Sequence, residues 1–90
     1  MLQVWTENAW AQYEFIEKND KSALKKVKGF IKEIMRSDNP YEGTGMPEPL
    51  KDDLSGYYSR RIDKKNRFVY RVCEFNGQEA IEILSCYGHY

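Results

Sequence analysis

A carboxylate followed by several cations is the part of this sequence best suited to chemistry. Glu48 lies between Pro47 and Pro49. Each proline fixes its own φ and restricts the residue before it, so the backbone here is stiff and can aim a side chain. The cations that follow are Lys51, Arg60, Arg61 and Arg67. A base surrounded by cations suits proton abstraction beside a group that gains negative charge.

The chain also ends in groups that suit proton transfer, His89 and Tyr90, and His89 is its only histidine. If the substrate is RNA, cleavage without a metal needs a base for the 2′-hydroxyl, cations for the phosphorane and an acid for the 5′-oxygen. Glu48 would be the base and His89 the acid, while Tyr90 could stack on a nucleobase or bind the phosphate. The cations for the phosphorane would be Lys51, Arg61 and Arg67.

Each of these residues also has an ordinary interpretation without catalysis. A glutamate between prolines is commonly an exposed loop charge, two adjacent arginines commonly protect a sheet edge, and a terminal His-Tyr is commonly a frayed end. Composition and spacing alone therefore leave a nuclease and a non-catalytic protein both open.

Composition limits the class of protein. Ninety residues predict a single domain, residues 1–90, with a small core. Charged residues make up 31% and aromatic residues 14%, which excludes a disordered or membrane-spanning chain. The N-terminus lacks the pattern of a signal peptide, so we expect a cytoplasmic protein. With a net charge of zero, binding to nucleic acid would depend on local clusters.

The sequence gives no reason to expect a cofactor. It contains no Cys/His cluster, no HExxH motif and no glycine-rich phosphate loop, so neither a metal nor a nucleotide is predicted. Cys73 and Cys86 are predicted to be reduced core residues.

Two helices are predicted after a short strand at residues 2–5. Thr6 resembles an N-cap, and residues 7–18 carry apolar side chains spaced for one helix face. Those side chains are Trp10, Tyr13, Phe15 and Ile16. Asp20 is predicted to cap the second helix, residues 21–36, whose apolar stripe comprises Leu24, Val27, Phe30, Ile31 and Ile34.

A basic stripe runs beside that apolar stripe. It comprises Lys21, Lys25, Lys28, Lys32 and Arg36. Such a stripe is most often a solvated helix face, but it could also bind RNA phosphates. Lys25, Lys28 and Lys32 are the candidates for that binding.

Two β-rich runs, residues 57–62 and 67–75, predict a hairpin, and Asn76-Gly77 predicts a type I′ turn into a last strand. This turn sets a register. Its pairs are Phe75 with Gln78, Cys73 with Ala80, Arg71 with Glu82, and Arg67 with Cys86. Arg71 then has a structural partner, and the cysteines lie roughly 20 Å apart, too far for a disulfide.

The order β-α-α-β-β-β predicts an α+β fold in which two N-terminal helices pack on one face of an antiparallel sheet. Arg61 and Arg67 can share a face of this sheet only if the loop between their strands has an odd number of residues or a bulge is present.

Several segments resemble the Txe/YoeB toxins of the RelE/ParE superfamily from end to end. They are V-W-T-E-N-A-W, M-P-E-P-L-K-D-D-L-S-G-Y-Y-S-R-R-I, K-N-R-F-V-Y-R-V and C-Y-G-H-Y. The resemblance implies a toxin of a bacterial type II toxin–antitoxin system with a microbial-ribonuclease/RelE-like fold. It implies a metal-independent endoribonuclease that cleaves mRNA in the A site of the 70S ribosome. The implied partners are a YefM-type antitoxin and a second copy of the chain.

The resemblance also assigns roles to residues. It places the base on Glu48, phosphate-handling cations on Lys51, Arg61 and Arg67, and the C-terminal catalytic pair on His89 and Tyr90. The loop at residues 37–45 and the Asn76-Gly77 hairpin are longer than the family pattern, which affects partner contacts rather than chemistry. Two alternatives remain: a ParE-like gyrase inhibitor without ribonuclease activity, and an RNA-binding module without catalysis.

Overall fold

Side-chain caps set the limits of the two helices in the computed structural model, which describes residues 1–88. Strand β1 (Leu2–Trp5) leads into helix α1 (Glu7–Asn19), where the Thr6 hydroxyl accepts a hydrogen bond from the Ala9 N–H at 3.0 Å. The Asp20 carboxylate caps helix α2 (Lys21–Arg36) in the same way through the Ala23 N–H. Both predicted caps are confirmed, and the helix bounds agree to within one residue.

Within residues 1–88 the sheet has five strands, in the order β1-β5-β4-β3-β2. The last four are β2 (Glu48–Pro49), β3 (Tyr58–Arg61), β4 (Arg67–Phe75) and β5 (Gln78–Ser85). Consecutive strands from β2 to β5 pair antiparallel, but β1 pairs parallel with β5, so the sheet is mixed and the prediction of an antiparallel sheet was wrong in this respect. Short loops in the sequence indicate which consecutive strands pair. They give no information on β1, because its partner β5 lies at the far end of the sequence.

The register between β4 and β5 is confirmed over the half next to the turn. Phe75 pairs with Gln78, Cys73 with Ala80, and Arg71 with Glu82, as predicted. The register then shifts, because Tyr70 pairs with Ile83 but Val69 pairs with Ser85. The extra residue, Leu84, is a β-bulge, which moves everything beyond it by one position. The predicted pairing of Arg67 with Cys86 was therefore wrong.

The core lies between the helices and one face of the sheet. Its members from the sheet include Phe68, Tyr70, Ile81 and Ile83, and its members from α2 include Val27, Phe30, Ile31 and Ile34. Helix α1 departs from the prediction, because Ala9 and Ile16 are buried while Trp10 and Phe15 are about half exposed. Trp10 instead packs with Trp5 and Tyr13 in a partly exposed aromatic cluster.

The two cysteines are both free, as expected, but only one is a core residue. Cys86 is fully buried, and burial raises the pKa of its thiol to about 12. Cys73 is half-buried on the sheet face away from the helices, in line with Arg71. Neither helix within residues 1–88 is long and apolar enough to cross a membrane.

Candidate active site

Arg61 and Arg67 lie directly opposite each other at the end of the β3–β4 hairpin. Opposed residues of an antiparallel pair project from the same face of a sheet, so the two guanidinium groups share a face. The intervening residues 62–66 are odd in number. The parity condition derived from the sequence is therefore met, and the two cations can act on one phosphate.

Glu48 reaches this face through the two-residue strand β2. It pairs with Ser59, which lies two residues before Arg61 and so projects from the same face. Its Oε1 atom lies 3.8 Å from Nη2 of Arg61, and the two side chains are 55% and 50% exposed. Such an exposed pair stabilises the fold by only about 0–1 kcal/mol. Both groups are therefore open to a ligand and bound only loosely to each other.

Lys51 lies two residues after β2 and immediately before the 3₁₀ turn Asp52–Leu54. Its backbone carbonyl accepts the Leu54 N–H at 3.1 Å, which fixes the main chain at this point. Its side chain is exposed and forms no hydrogen bond or ion pair within residues 1–88. The ammonium is thus available at the edge of the sheet that carries Glu48.

Arg67 is held by the loop that precedes it. Its Nη1 donates to the carbonyl oxygens of Asp63 at 2.8 Å and Asn66 at 3.1 Å. Its guanidinium lines a groove of about 370 Å³. The other lining residues are Lys26, Arg61, Ile62, Asp63 and Lys64. Cations outnumber the single carboxylate in this groove, so it favours an anionic ligand.

Lys26 is a groove residue that the sequence interpretation missed. Its Nζ donates to the carbonyl of Ile62 at 2.7 Å, which joins α2 to the β3–β4 loop beside Arg61. The residue lies next to the basic stripe in the sequence but outside its spacing. Its position depends on the docking of that loop on α2, which no local pattern reveals.

The basic stripe of α2 is divided between two grooves. Lys25 borders the one that contains Arg61, together with Lys26 and Gly29. Lys28 and Lys32 border a separate groove, with Trp5, Tyr13 and Met35 among the lining residues. Of the three predicted lysines, only Lys25 is therefore placed beside the arginine face.

Arg60 does not belong to the candidate site, contrary to its grouping with the cations around Glu48. Alternation along β3 turns it to the helix side, where it is fully buried. Its guanidinium pairs with Glu33 and lies 5.7 Å from the centre of the Phe30 ring. Its remaining donors bind the hydroxyl of Tyr70 and the carbonyls of Pro40, Glu42 and Thr44. All five donors are satisfied.

The Arg60 contacts also fix the route of the chain toward Glu48. Three of them are to carbonyls of the loop at residues 40–44. The next carbonyl, that of Gly45, accepts the N–H of Arg61 at 2.7 Å. The loop is thus bonded to both the Arg60 side chain and the Arg61 main chain of β3. These bonds fix the position from which the chain continues to Glu48.

The end of the chain leads to the same arginine face. The side-chain oxygen of Gln12 accepts the N–H groups of Cys86 at 2.7 Å and Tyr87 at 3.1 Å. The carbonyl of Gly88 then accepts the N–H of Arg67 at 3.1 Å. His89 and Tyr90, the predicted catalytic pair, lie outside the described residues. The residue that precedes them is joined directly to Arg67.

Comparison with known proteins identifies the family. A family model described as "YoeB-like toxin of bacterial type II toxin-antitoxin system" matches residues 5–90. Toxin YoeB of Escherichia coli K12 is 40% identical over 90 residues, which cover the whole of both chains.

Solved structures agree with this assignment. The YoeB/ParE toxin from Agrobacterium tumefaciens superposes with a TM-score of 0.90 at 41% identity, with both chains fully covered. The YoeB dimer from Staphylococcus aureus gives 0.84 at 38% identity, covering 100% of this chain and 98% of that one. The heterotetrameric YoeB–YefM toxin–antitoxin complex from the same organism gives 0.82 at 40%, covering 100% and 99%. The fold, the matched residues and these relatives together show that the chain belongs to the YoeB-like toxins of bacterial type II toxin–antitoxin systems.

Proposed function

We propose that this toxin cleaves messenger RNA in the A site of the ribosome by general acid–base catalysis without a metal. The observation that carries the proposal is the arrangement of Glu48, Arg61 and Arg67. The two arginines oppose each other on one face of the sheet, and the carboxylate lies 3.8 Å from Arg61. A phosphate between the guanidinium groups would be within reach of a base and of cations that stabilise its growing charge.

The proposed reaction transfers one proton from the attacking 2′-hydroxyl and another to the leaving 5′-oxygen. Glu48 takes the proton of the 2′-hydroxyl, and the 2′-oxygen forms a bond to phosphorus. The bond from phosphorus to the 5′-oxygen breaks, and His89 gives that oxygen a proton. The products are a 5′-hydroxyl and a 2′,3′-cyclic phosphate, which water opens to a 3′-phosphate. Arg61 and Arg67 neutralise the phosphorane, and Tyr90 contacts the nucleobase or the phosphate.

Substrate binding is proposed for Lys51 and for the lysines of α2. Lys51 would bind a phosphate next to the one that reacts, because it is exposed and lies only three residues after Glu48. Lys25 borders the groove with Arg61 and would bind the same mRNA strand, whereas Lys28 and Lys32 border another groove and would bind phosphates of ribosomal RNA.

The proposed protein partners are a YefM-type antitoxin and a second toxin copy. The Staphylococcus aureus relatives support both, since they were solved as a YoeB dimer and as a YoeB–YefM complex. An antitoxin is needed because an enzyme that cleaves mRNA harms the cell that makes it. The proposed location is the cytoplasm, where translating ribosomes are found.

The test is to map RNA ends after incubation with ribosomes that carry a synthetic mRNA and an empty A site. The expected result is cleavage within the A-site codon, with a 5′-hydroxyl on the downstream fragment and a cyclic or 3′-phosphate on the upstream fragment. Parallel DNA supercoiling assays with gyrase test the ParE-like alternative. Gyrase inhibition together with intact mRNA on the ribosome would overturn the proposal.

A further inference from the structure

The loop between β3 and β4 is closed by a side-chain network centred on Asp63 and Asn66. The Asp63 carboxylate accepts the N–H groups of Lys65 and Asn66, each at 2.8 Å. It also accepts the Asn66 side-chain Nδ2 at 2.9 and 3.1 Å. These bonds hold the pKa of Asp63 below its usual value. Because Nδ2 is bound to Asp63, the Asn66 Oδ1 is fixed in the opposite direction.

The Asn66 Oδ1 accepts the N–H of Gly88 at 2.8 Å. The Gly88 carbonyl in turn accepts the backbone N–H of Arg67 at 3.1 Å. Gly88 is thus held on both sides, by the side chain of one loop residue and the main chain of the next. Its φ of +86° is a conformation that favours glycine, so the chain turns at this point.

The same loop also fixes the guanidinium of Arg67. Nη1 of Arg67 donates to the carbonyls of Asp63 and Asn66. One loop therefore holds both a cation of the candidate site and the peptide immediately before His89. A change in this loop would alter the position of one relative to the other.

We propose that Asn66 is a positioning residue that sets the C-terminal acid against the leaving oxygen. The inference rests on the proposed function, in which His89 protonates the 5′-oxygen while Arg67 binds the phosphate. Proton transfer depends on placement, and a misplacement of about 1 Å can lower a rate about 100-fold. Asn66 suits this role because an amide can donate to Asp63 and accept from Gly88 at the same time.

The test compares two leaving groups on ribosome-bound mRNA in single-turnover cleavage by Asn66→Ala. One substrate has the normal 5′-oxygen at the cleavage site, and the other has a bridging 5′-sulfur. A thiolate leaves without protonation because the pKa of its thiol is only about 8.5, whereas an alkoxide needs the acid. We expect the variant to lose about 10- to 100-fold with the oxygen substrate and less than about threefold with the sulfur substrate.

Two control variants make the comparison specific. Glu48→Gln removes the base and should slow both substrates, since the leaving group does not affect proton removal from the 2′-hydroxyl. Asn19→Ala removes one exposed side-chain hydrogen bond at the end of α1, that to the Phe15 carbonyl, and should leave both rates unchanged. A defect confined to the oxygen substrate would distinguish a failure of the acid from general damage to the fold.

An exchange of side chains tests the network directly. Asn66→Asp keeps an acceptor for Gly88 but places a second carboxylate against Asp63, so cleavage should fall. Adding Asp63→Asn restores a donor between positions 63 and 66, and most of the lost rate should return.

Three outcomes would count against the inference. Equal losses of Asn66→Ala on both substrates, or native cleavage of the oxygen substrate, would overturn it alone. Wild-type protein that cleaves neither substrate would overturn the proposed function and the inference with it.

Discussion

Replacing the buried Arg60 by methionine should destabilise this protein more than any surface charge change. The substitution keeps the length of an apolar stem but removes a guanidinium that is 0% exposed. It removes the cationic partner of Glu33, which keeps only its two donors from Thr44, and it takes the guanidinium donors away from the carbonyls of Glu42 and Thr44. A hydrogen bond from a charged group contributes about 1.5–3 kcal/mol, so the loss of several such bonds should cost at least about 3 kcal/mol. That is a large part of the roughly 5–15 kcal/mol by which a domain is stable.

Arg71→Met is the matched control. Arg71 also pairs with a carboxylate, Glu82 at 2.5 Å, and stacks on Tyr57, but its side chain is 43% exposed. We expect this change to cost about 1–2 kcal/mol, the sum of an exposed ion pair and a cation–π contact.

Urea unfolding, followed by tryptophan fluorescence at pH 7, measures both effects. With a slope of about 1–2 kcal/mol per molar urea, Arg60→Met should lower the midpoint by at least about 1.5 M, and Arg71→Met by clearly less. If the two variants lose equal stability, burial does not control the cost, and Arg60 does not anchor the loop at residues 40–44.

Three further predictions concern pH, packing and thiol chemistry. The hydrogen bond from Arg60 holds the pKa of Glu33 below its ordinary value of 4.5. The ionised carboxylate therefore contributes its full stabilisation above pH 4.5, and this stabilisation is lost as the pH falls through the lowered pKa. Glu33→Gln should flatten the acid limb of a curve of Tm against pH. Gly45→Ala would place a Cβ 2.7 Å from a core phenyl ring at a φ of +80°, and should cost more in urea unfolding than Gly56→Ala, which is strained but uncrowded. Cys86 should resist an aromatic disulfide reagent in the native state while Cys73 reacts, and equal native rates would contradict their assigned burial.

The parts of the fold predicted well from the sequence are those determined by neighbouring residues. Thr6 and Asp20 cap the helices through bonds to N–H groups three residues away, and the Asn76-Gly77 turn places both residues at positive φ. The register next to that turn followed directly. Such signals depend on local geometry, which a short stretch of sequence contains in full.

The features that sequence could not give depend on distant contacts. Nothing local distinguishes Arg60 from Arg61, yet alternation along β3 buries one and exposes the other, and the direction of that alternation is set by packing against α2. The bulge at Leu84 has no glycine or proline to mark it, so the Arg67 pairing was placed one residue away. Lys26 lines the groove only because the β3–β4 loop packs on α2.

The candidate site lies between these two cases. The stiff backbone around Glu48 and the five-residue connection between Arg61 and Arg67 are properties of the sequence. The structure places these three residues on one face of the sheet. The network from Asn66 to Gly88 was not foreseen, because it joins a loop to a segment 22 residues later.

The most direct test of the central claim is to separate binding from chemistry with Glu48→Gln. This change removes the base but keeps the size of an exposed side chain that contributes little to the fold. At saturating toxin, we expect single-turnover cleavage of ribosome-bound mRNA to fall by about 10²–10⁴-fold, the usual contribution of a general base, while the dissociation constant for ribosomes stays within about twofold. Cleavage at the native rate, or a rate lost only in proportion to weakened binding, would contradict the assignment of Glu48 as the catalytic base.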